Sequence, residues 1–137
     1  MVDRERAERV LWELRRTLRF MERMLERPVD EFVNDDEAVY ALRYAVVEFV
    51  EAAAQVGLLL ARRAGARPGS YGEVFDVLGD LGVISRDLAV AMRRFVSLRN
   101  LLVHRYWEVD DRRMFTELKE GGVSALKKFI EAVERHV

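Results

Sequence analysis

Residues 38–61 read AVYALRYAVVEFVEAAAQVGLLLA, and this stretch decides the fold. Its apolar residues recur at helical spacing and cover most of the circumference: Val39, Leu42, Val46, Phe49, Val50, Ala53, Val56 and Leu60. A helix that is apolar on several sides is central, with other helices packed around it. Asn34 and Glu37 resemble a capping box, so the predicted helix covers residues 34–63.

A narrow polar stripe interrupts this apolar helix. Its members are spaced four, three and four residues apart, so they share one side of the helix: Tyr44, Glu48, Glu51 and Gln55. A bundle that served only as a structural dimerisation unit would leave such a stripe unexplained. The stripe is therefore a candidate functional surface.

Two helices are predicted on either side of this central one. Residues 3–26 form the first, because one apolar stripe recurs along it at steps of three and four, and Pro28 ends it. A short helix starts after the loop at residues 65–69, where Ser70 and Glu73 form a second capping box. Gly82 stops this short helix.

Two more helical regions complete the chain. Ser85 is the expected N-cap of the fourth helix. Its core-facing side chains are Leu88, Met92, Phe95 or Val96, and Leu102. The last helical region begins at Asp110 or Asp111 and is broken at residues 121–122, which are both glycine.

The pattern as a whole predicts an all-α protein. No alternation typical of β-strands and no internal repeat occurs in the sequence. We expect an antiparallel up-and-down bundle of four long helices plus a short helix, forming a single domain over residues 1–137.

Composition excludes several classes of function. The net charge is −1 at pH 7, so a bulk electrostatic nucleic-acid binder is excluded and any RNA site must be local. The chain has no cysteine, which excludes disulfides and thiolate metal sites. Its two histidines, His104 and His136, are far apart in sequence. We therefore expect no metal and no cofactor.

The sequence also indicates a protein without a membrane partner. The first six residues alternate in charge and lack the apolar core of a signal peptide. The longest apolar run, residues 52–61, is too short to span a bilayer and follows Glu48 and Glu51 closely. We expect a cytoplasmic location.

Residues 99–106 read RNLLVHRY and carry the candidate chemistry. His104 is the only interior imidazole, and imidazole can move protons near neutral pH. Arg99 supplies a permanent forked cation that suits phosphate. Asn100 lies four residues before His104, so its amide could orient the ring. A general acid/base beside a phosphate clamp is what RNA cleavage requires.

The geometry of a straight helix separates the two charged groups of this octad. Each residue turns about 100°, so Arg99 and His104 lie about 140° apart. Three explanations can bring them together: the helix loosens near Val103, the long Arg99 side chain bends back, or a second copy of the chain completes the site. We favour the last two together, with a two-fold dimer placing two Arg–His sets in one cleft.

The fourth helix is locally basic. Five arginines against one acid, Asp87, lie between positions 86 and 105: Arg86, Arg93, Arg94, Arg99 and Arg105. This strip is either an RNA footprint or an ordinary solvated face. On the RNA reading, Arg93, Arg94 and Arg105 are the candidate binding residues beside the site.

The octad contains the pattern R-x-x-x-x-H-x-Y, which resembles the motif of HepT, the HEPN-domain toxin of HEPN–MNT toxin–antitoxin pairs. Three segments follow that family's order and spacing: residues 70–75 (SYGEVF), 81–85 (LGVIS) and 98–104 (LRNLLVH). The family commonly carries an acidic residue in the middle of its second long helix, where Glu51 stands. It often has a histidine where this chain has Gln55.

The resemblance implies a metal-independent endoribonuclease that acts as a homodimer, with the active cleft at the interface. His104 would be the acid/base, Arg99 would bind the scissile phosphate, and Asn100 would orient His104. Glu51 would support the site by pairing with Arg99 or His104. The resemblance also implies a minimal nucleotidyltransferase (MNT) antitoxin that transfers AMP to Tyr106, in a system similar to type VII.

A different class of function competes with the ribonuclease toxin. Helical domains of this kind also resemble non-catalytic HEPN modules that partner nucleotidyltransferases and bind without cleaving. The intact set of Arg99, His104 and Tyr106 favours the toxin, because a binding module does not need it.

Overall fold

The computed structural model describes residues 2–137 as a bundle of helices. Within that range the seven α-helices are α1 (Val2–Met24), α2 (Val29–Val33), α3 (Asp36–Arg63), α4 (Tyr71–Asp80), α5 (Arg86–His104), α6 (Asp111–Glu117) and α7 (Val123–Glu134). A 3₁₀ turn at Tyr106–Glu108 precedes α6, and a π-helical turn at Leu118–Gly122 joins α6 to α7. The all-helical bundle of four long helices, α1, α3, α5 and α7, is confirmed.

Helix α3 is the centre of the bundle. It packs against α1, α2, α4 and α5, and its side chains join one contiguous hydrophobic cluster with those of the other helices. Phe49, Val50 and Ala53 are completely buried. By length and composition α3 could cross a bilayer, but 56% of its most apolar window is buried in the bundle. That burial is typical of the core helix of a globular protein.

The connection between α1 and α3 differs from the prediction. The first helix ends at Met24 rather than Glu26, and Pro28 acts as the N-cap of the short helix α2 instead of only ending α1. Phe32 in α2 is completely buried and stacks on Phe115 of α6, with ring centroids 4.8 Å apart. Packing on α3 and this long-range aromatic contact with α6 therefore hold a helix that is too short to be recognised by periodicity.

The N-cap of α3 is Asp35, so the predicted Asn34 cap is wrong. The Asp35 carboxylate accepts a hydrogen bond from the backbone N–H of Ala38, at 3.2 Å. That bond and a hydrogen bond from Arg27 lower the pKa of Asp35. Asn34 instead donates its side-chain amide to the carbonyl of Asp30, at 2.8 Å, because it belongs to the end of α2.

The caps predicted for α4 and α5 are confirmed. Ser70 Oγ accepts from the N–H of Glu73, and Ser85 Oγ accepts from the N–H of Leu88. The Glu73 carboxylate returns a contact to the N–H of Gly69, at 2.6 Å, one residue earlier than an ordinary capping box. Both helices therefore begin at sharply defined residues.

The structure also shows which residue of α5 is buried, where α6 begins and where the last helical region is broken. Val96 of α5 is buried, whereas Phe95 is only partly buried. Asp110 is the N-cap of α6, accepting from the N–H of Arg113. The predicted break lies in the π-helical turn, where Gly121 leaves helical backbone geometry. The turn lets α7 continue from α6 in a new direction.

Helices α3 and α4 approach closely at Gly57. A Cβ atom added there would lie 2.6 Å from Cγ1 of Val74 and 3.1 Å from Cδ1 of Leu78. Both neighbours are buried, so neither has free space into which to move. The absence of a side chain at Gly57 therefore sets the distance at which α4 packs.

We expect Gly57→Ala to lower the free energy of unfolding by about 1 kcal/mol, because overpacking outweighs the gain in helix propensity. The measurement is urea denaturation. Gln55→Ala, on the exposed side of the same helix, is the control and should change stability by less than about 0.5 kcal/mol. A Gly57→Ala protein more stable than wild type would contradict the close packing.

Candidate functional site

An ion pair between α5 and α3 forms the centre of the site. Arg99 donates from Nη2 and from Nε to the same oxygen, Oε2 of Glu51, at 2.8 and 3.3 Å. The two side chains are 19% and 39% exposed, so the pair is partly shielded from water. Of the two partners predicted for Glu51, the structure shows Arg99.

Two further contacts surround the Arg99 guanidinium. Nη1 donates to Oδ1 of Asn100 at 3.0 Å, and the guanidinium carbon lies 5.0 Å from the ring centroid of Tyr71. A guanidinium carries five N–H groups, and three of them are used in these bonds. Among the described residues, the other two N–H groups have no hydrogen-bond acceptor.

His104 is the last residue of α5, and its side chain is exposed. The helix continues regularly up to His104, so it does not loosen near Val103 to bring Arg99 and His104 together. The expected bending back of Arg99 toward His104 is also wrong for the single chain, because the Arg99 side chain reaches toward Glu51 on α3. Within residues 2–137, no side chain forms a hydrogen bond with the His104 imidazole. Within one chain, Arg99 and His104 therefore share no hydrogen bond.

The Asn100 amide serves Arg99 in this structure. Its oxygen accepts from Nη1 of Arg99, and the side chain is otherwise exposed. The predicted orienting of His104 by Asn100 remains a prediction.

The residues of the polar stripe on α3 differ in their contacts with neighbouring helices. Glu48 accepts a 3.0 Å hydrogen bond from the hydroxyl of Thr17, the buried polar residue of α1. Glu51 binds Arg99 on α5. Tyr44 and Gln55 remain exposed. The two middle residues of the stripe therefore join α3 to α1 and to α5, whereas its two ends are exposed.

Tyr106 lies in the 3₁₀ turn directly after the octad helix. Its side chain is 56% exposed and meets the Trp107 ring edge-on, with centroids 5.3 Å apart. The chain leaves helical geometry at Arg105, with φ −145° and ψ 51°. Tyr106 is thus displayed at the surface two residues beyond His104.

Arg43 holds this turn in place. It donates to the Tyr106 carbonyl at 3.0 Å and to both carboxylate oxygens of Asp111, at 2.7 and 3.0 Å. The side chains of Arg43 and Asp111 are only 16% and 25% exposed. Arg43 is not among the candidate residues that the sequence indicates. Its only signal was an arginine on the apolar central helix, where a charge needs a partner.

A groove of about 880 Å³ opens between the start of α4 and the outer face of α5. Arg93, Arg94 and Arg99 line it together with the first residues of α4. Arg93 pairs with Asp76 at 3.2 Å and lies over Gly72, where a Cβ would overlap the guanidinium. Among the described residues Arg94 makes no ion pair, so its charge is uncompensated.

Arg105 is separate from this groove. It pairs with Glu108 at 3.5 Å, and both side chains are largely exposed. Of the three arginines predicted to bind RNA, two therefore share one groove and the third lies beyond His104. In the part of the chain that the structure describes, no group of three or more acidic, histidine or cysteine side chains could hold a metal ion.

A family model and a curated protein are similar to this chain in sequence. The family model for HepT-like proteins, described as Ribonuclease HepT-like, matches residues 14–133. A protein of Archaeoglobus fulgidus named "Putative RNase" is 30% identical over 106 residues, which cover 77% of this chain and 80% of the relative.

Solved structures agree with the bundle. An AMPylated HEPN toxin of Shewanella oneidensis in complex with an MNT antitoxin matches with a TM-score of 0.86 at 17% identity, covering 95% of this chain and 97% of that one. A cytosolic protein of unknown function from Bacillus subtilis matches with a TM-score of 0.72 at 20% identity, covering 90% and 87%. At these identities the likeness shows the fold.

We expect Arg43→Ala to lower the free energy of unfolding by about 2 kcal/mol, because it leaves the Asp111 carboxylate and the Tyr106 carbonyl without their donor. Urea denaturation measures the change. Arg4→Ala is the control, since its pair with Glu8 is largely exposed and should contribute less than about 1 kcal/mol. Equal losses of stability in the two variants would contradict the role of Arg43 in holding the Tyr106 turn.

Proposed function

Because this chain belongs to the HepT-like ribonuclease family, we propose that it is the toxin of a HEPN–MNT toxin–antitoxin pair and a metal-independent endoribonuclease that cleaves tRNA or mRNA. One observation carries the proposal. The Arg99 guanidinium is held between Glu51 and Tyr71 with two N–H groups to spare, five residues before an exposed imidazole. Such an arrangement suits a phosphodiester and a proton transfer beside it.

The reaction is a transesterification at phosphorus. The ribose 2′-oxygen attacks the adjacent phosphorus, a new O–P bond forms, and the bond from phosphorus to the 5′-oxygen of the next nucleotide breaks. One His104 imidazole takes the 2′-hydroxyl proton, and an imidazolium returns a proton to the leaving oxygen. Arg99 binds the non-bridging oxygens, on which charge accumulates in the transition state.

A homodimer supplies the second half of this chemistry. In one chain Arg99 points to α3, whereas His104 ends α5 without a hydrogen-bond partner among the described residues. A two-fold axis that brought both copies of α5 together would provide two imidazoles and two guanidiniums to one phosphodiester. One imidazole then acts as base and the other as acid.

RNA binding is assigned to the local basic surface. The chain carries a net charge of −1, so affinity must come from a limited region. Arg93 and Arg94 line the groove that leads to Arg99, and Arg105 flanks His104 on the other side. These arginines follow the phosphate backbone on both sides of the scissile bond.

Regulation is assigned to Tyr106. Its exposed side chain is accessible to an MNT antitoxin, which transfers the AMP group of ATP to the hydroxyl oxygen and releases pyrophosphate. The added phosphates lie two residues from His104, where they block RNA by bulk and by charge repulsion. The tri-AMPylated toxin in complex with an MNT antitoxin from Shewanella oneidensis supports regulation by AMPylation. We place the activity in the cytoplasm.

We expect the purified wild type, free of antitoxin, to cleave total tRNA or mRNA in the presence of EDTA. His104→Ala and Arg99→Ala should each reduce the rate by at least about a hundredfold, because the proton transfer or the phosphate contact is lost. Gel analysis of the RNA products measures the rate.

His136→Ala and Arg19→Ala are matched controls, each exposed and far from the octad in sequence, and should cleave like the wild type. Intact RNA in wild type and variants alike would overturn the ribonuclease proposal in favour of the non-catalytic binding module. Loss of cleavage on adding EDTA would contradict a metal-independent mechanism.

Co-expression with the neighbouring nucleotidyltransferase should raise the intact mass of this protein in AMP-sized steps, because the Tyr106 hydroxyl is the acceptor. Tyr106→Phe should abolish the increase, and Tyr44→Phe, at a similarly exposed tyrosine, should not. Mass spectrometry of the intact wild type and of both variants measures the increase. An unchanged wild-type mass, or a modified Tyr106→Phe variant, would exclude Tyr106 as the acceptor.

A further inference from the structure

The roles proposed for residues 99–106 do not explain one contact of Arg99, with the aromatic ring of Tyr71. We propose that Tyr71 is a positioning residue for the phosphate-binding group of the ribonuclease, fixing the plane of the Arg99 guanidinium; the inference rests on the proposed function. The guanidinium carbon lies 5.0 Å from the Tyr71 ring centroid, within the range of a cation–π contact. Tyr71 lies outside the octad, on a different helix.

The hydrogen bonds of Arg99 do not fix its orientation by themselves. Both bonds to Glu51 end on one oxygen, Oε2, rather than on two oxygens of the carboxylate. A fork that uses both oxygens would hold the guanidinium in the carboxylate plane, but a single acceptor lets it pivot. Asn100 adds one bond from a largely exposed side chain. A constraint on the guanidinium face is still required.

Tyr71 is itself firmly placed. It is the first residue of α4, directly after the Ser70 cap, and the Glu73 carboxylate binds the N–H of Gly69 just before it. Its ring is partly buried and packs against the hydrophobic core. The side chain therefore presents a rigid apolar face to Arg99.

The ring restrains Arg99 in two ways. It blocks rotation of the guanidinium about the Glu51 oxygen, and it covers one face of the guanidinium, which contributes to the low exposure of the Arg99 side chain, 19%. The two N–H groups left by Glu51 and Asn100 then keep one direction before a phosphate arrives. Preorganised donors of this kind act mainly on the transition state and so on kcat.

The phenol hydroxyl takes no part in this role. Within residues 2–137 it forms no hydrogen bond, so the aromatic face alone is required. Tyr71→Phe is accordingly the conservative variant, and Tyr71→Leu removes the face while keeping an apolar side chain. Tyr40→Leu, at an exposed tyrosine of α3, is the matched control.

The first experiment measures steady-state RNA cleavage by these three variants. Tyr71→Leu should lower kcat about tenfold with a smaller change in KM, because the donors lose their fixed direction. Tyr71→Phe should restore kcat to within about twofold of wild type, as should Tyr40→Leu. A Tyr71→Leu enzyme with wild-type kcat, or a Tyr71→Phe enzyme as slow as Tyr71→Leu, would overturn the proposal.

A second measurement does not depend on RNA cleavage. In the ¹⁵N-labelled wild-type protein, the Arg99 guanidinium protons should be shifted upfield by the Tyr71 ring, with Arg99→Lys identifying the signal. The shift should persist in Tyr71→Phe and disappear in Tyr71→Leu. Its absence from the wild type would overturn the positioning role. If the wild type cleaves no RNA while the shift is present, the proposed function fails and the contact stands.

Discussion

The ion pair of Arg99 and Glu51 is the interaction on which the site depends. It joins α5 to the central helix α3 in a partly shielded position. At such a position, removing one partner destabilises the fold by more than the intact pair stabilises it, because the remaining charge is left without a partner. Glu51 can stand on that apolar helix because Arg99 is present, and Arg99 is held toward α3 because Glu51 is present. Asn100 and Tyr71 complete the surroundings of the guanidinium.

Helix α3 supports the octad at both of its ends. Glu51 holds Arg99 at the beginning, and Arg43, two turns earlier on α3, holds the Tyr106 carbonyl at the end. Between these two anchors α5 runs as an unbroken helix to His104. Arg99 and His104 therefore lie on one unbroken helix, and Tyr106 follows in a turn that α3 holds in place.

Local signals in the sequence predicted the caps at Ser70 and Ser85, since a cap depends on residues three positions apart. They failed between α1 and α3, where Asn34 and Asp35 are adjacent and equally suited to capping. The choice depends on α2, which packs on α3 and on α6, where Phe32 contacts Phe115, more than eighty residues away in the chain. No local pattern contains that information.

The sequence by itself determined the helical bundle, the central place of α3 and the candidate residues of the octad, because periodicity and side-chain chemistry are written along the chain. The tertiary structure alone decided that Glu51 meets Arg99, that Tyr71 covers the guanidinium and that Arg43 holds the Tyr106 turn. Helical spacing assigns each residue to a face, but the packing of the whole core decides which faces of distant helices meet.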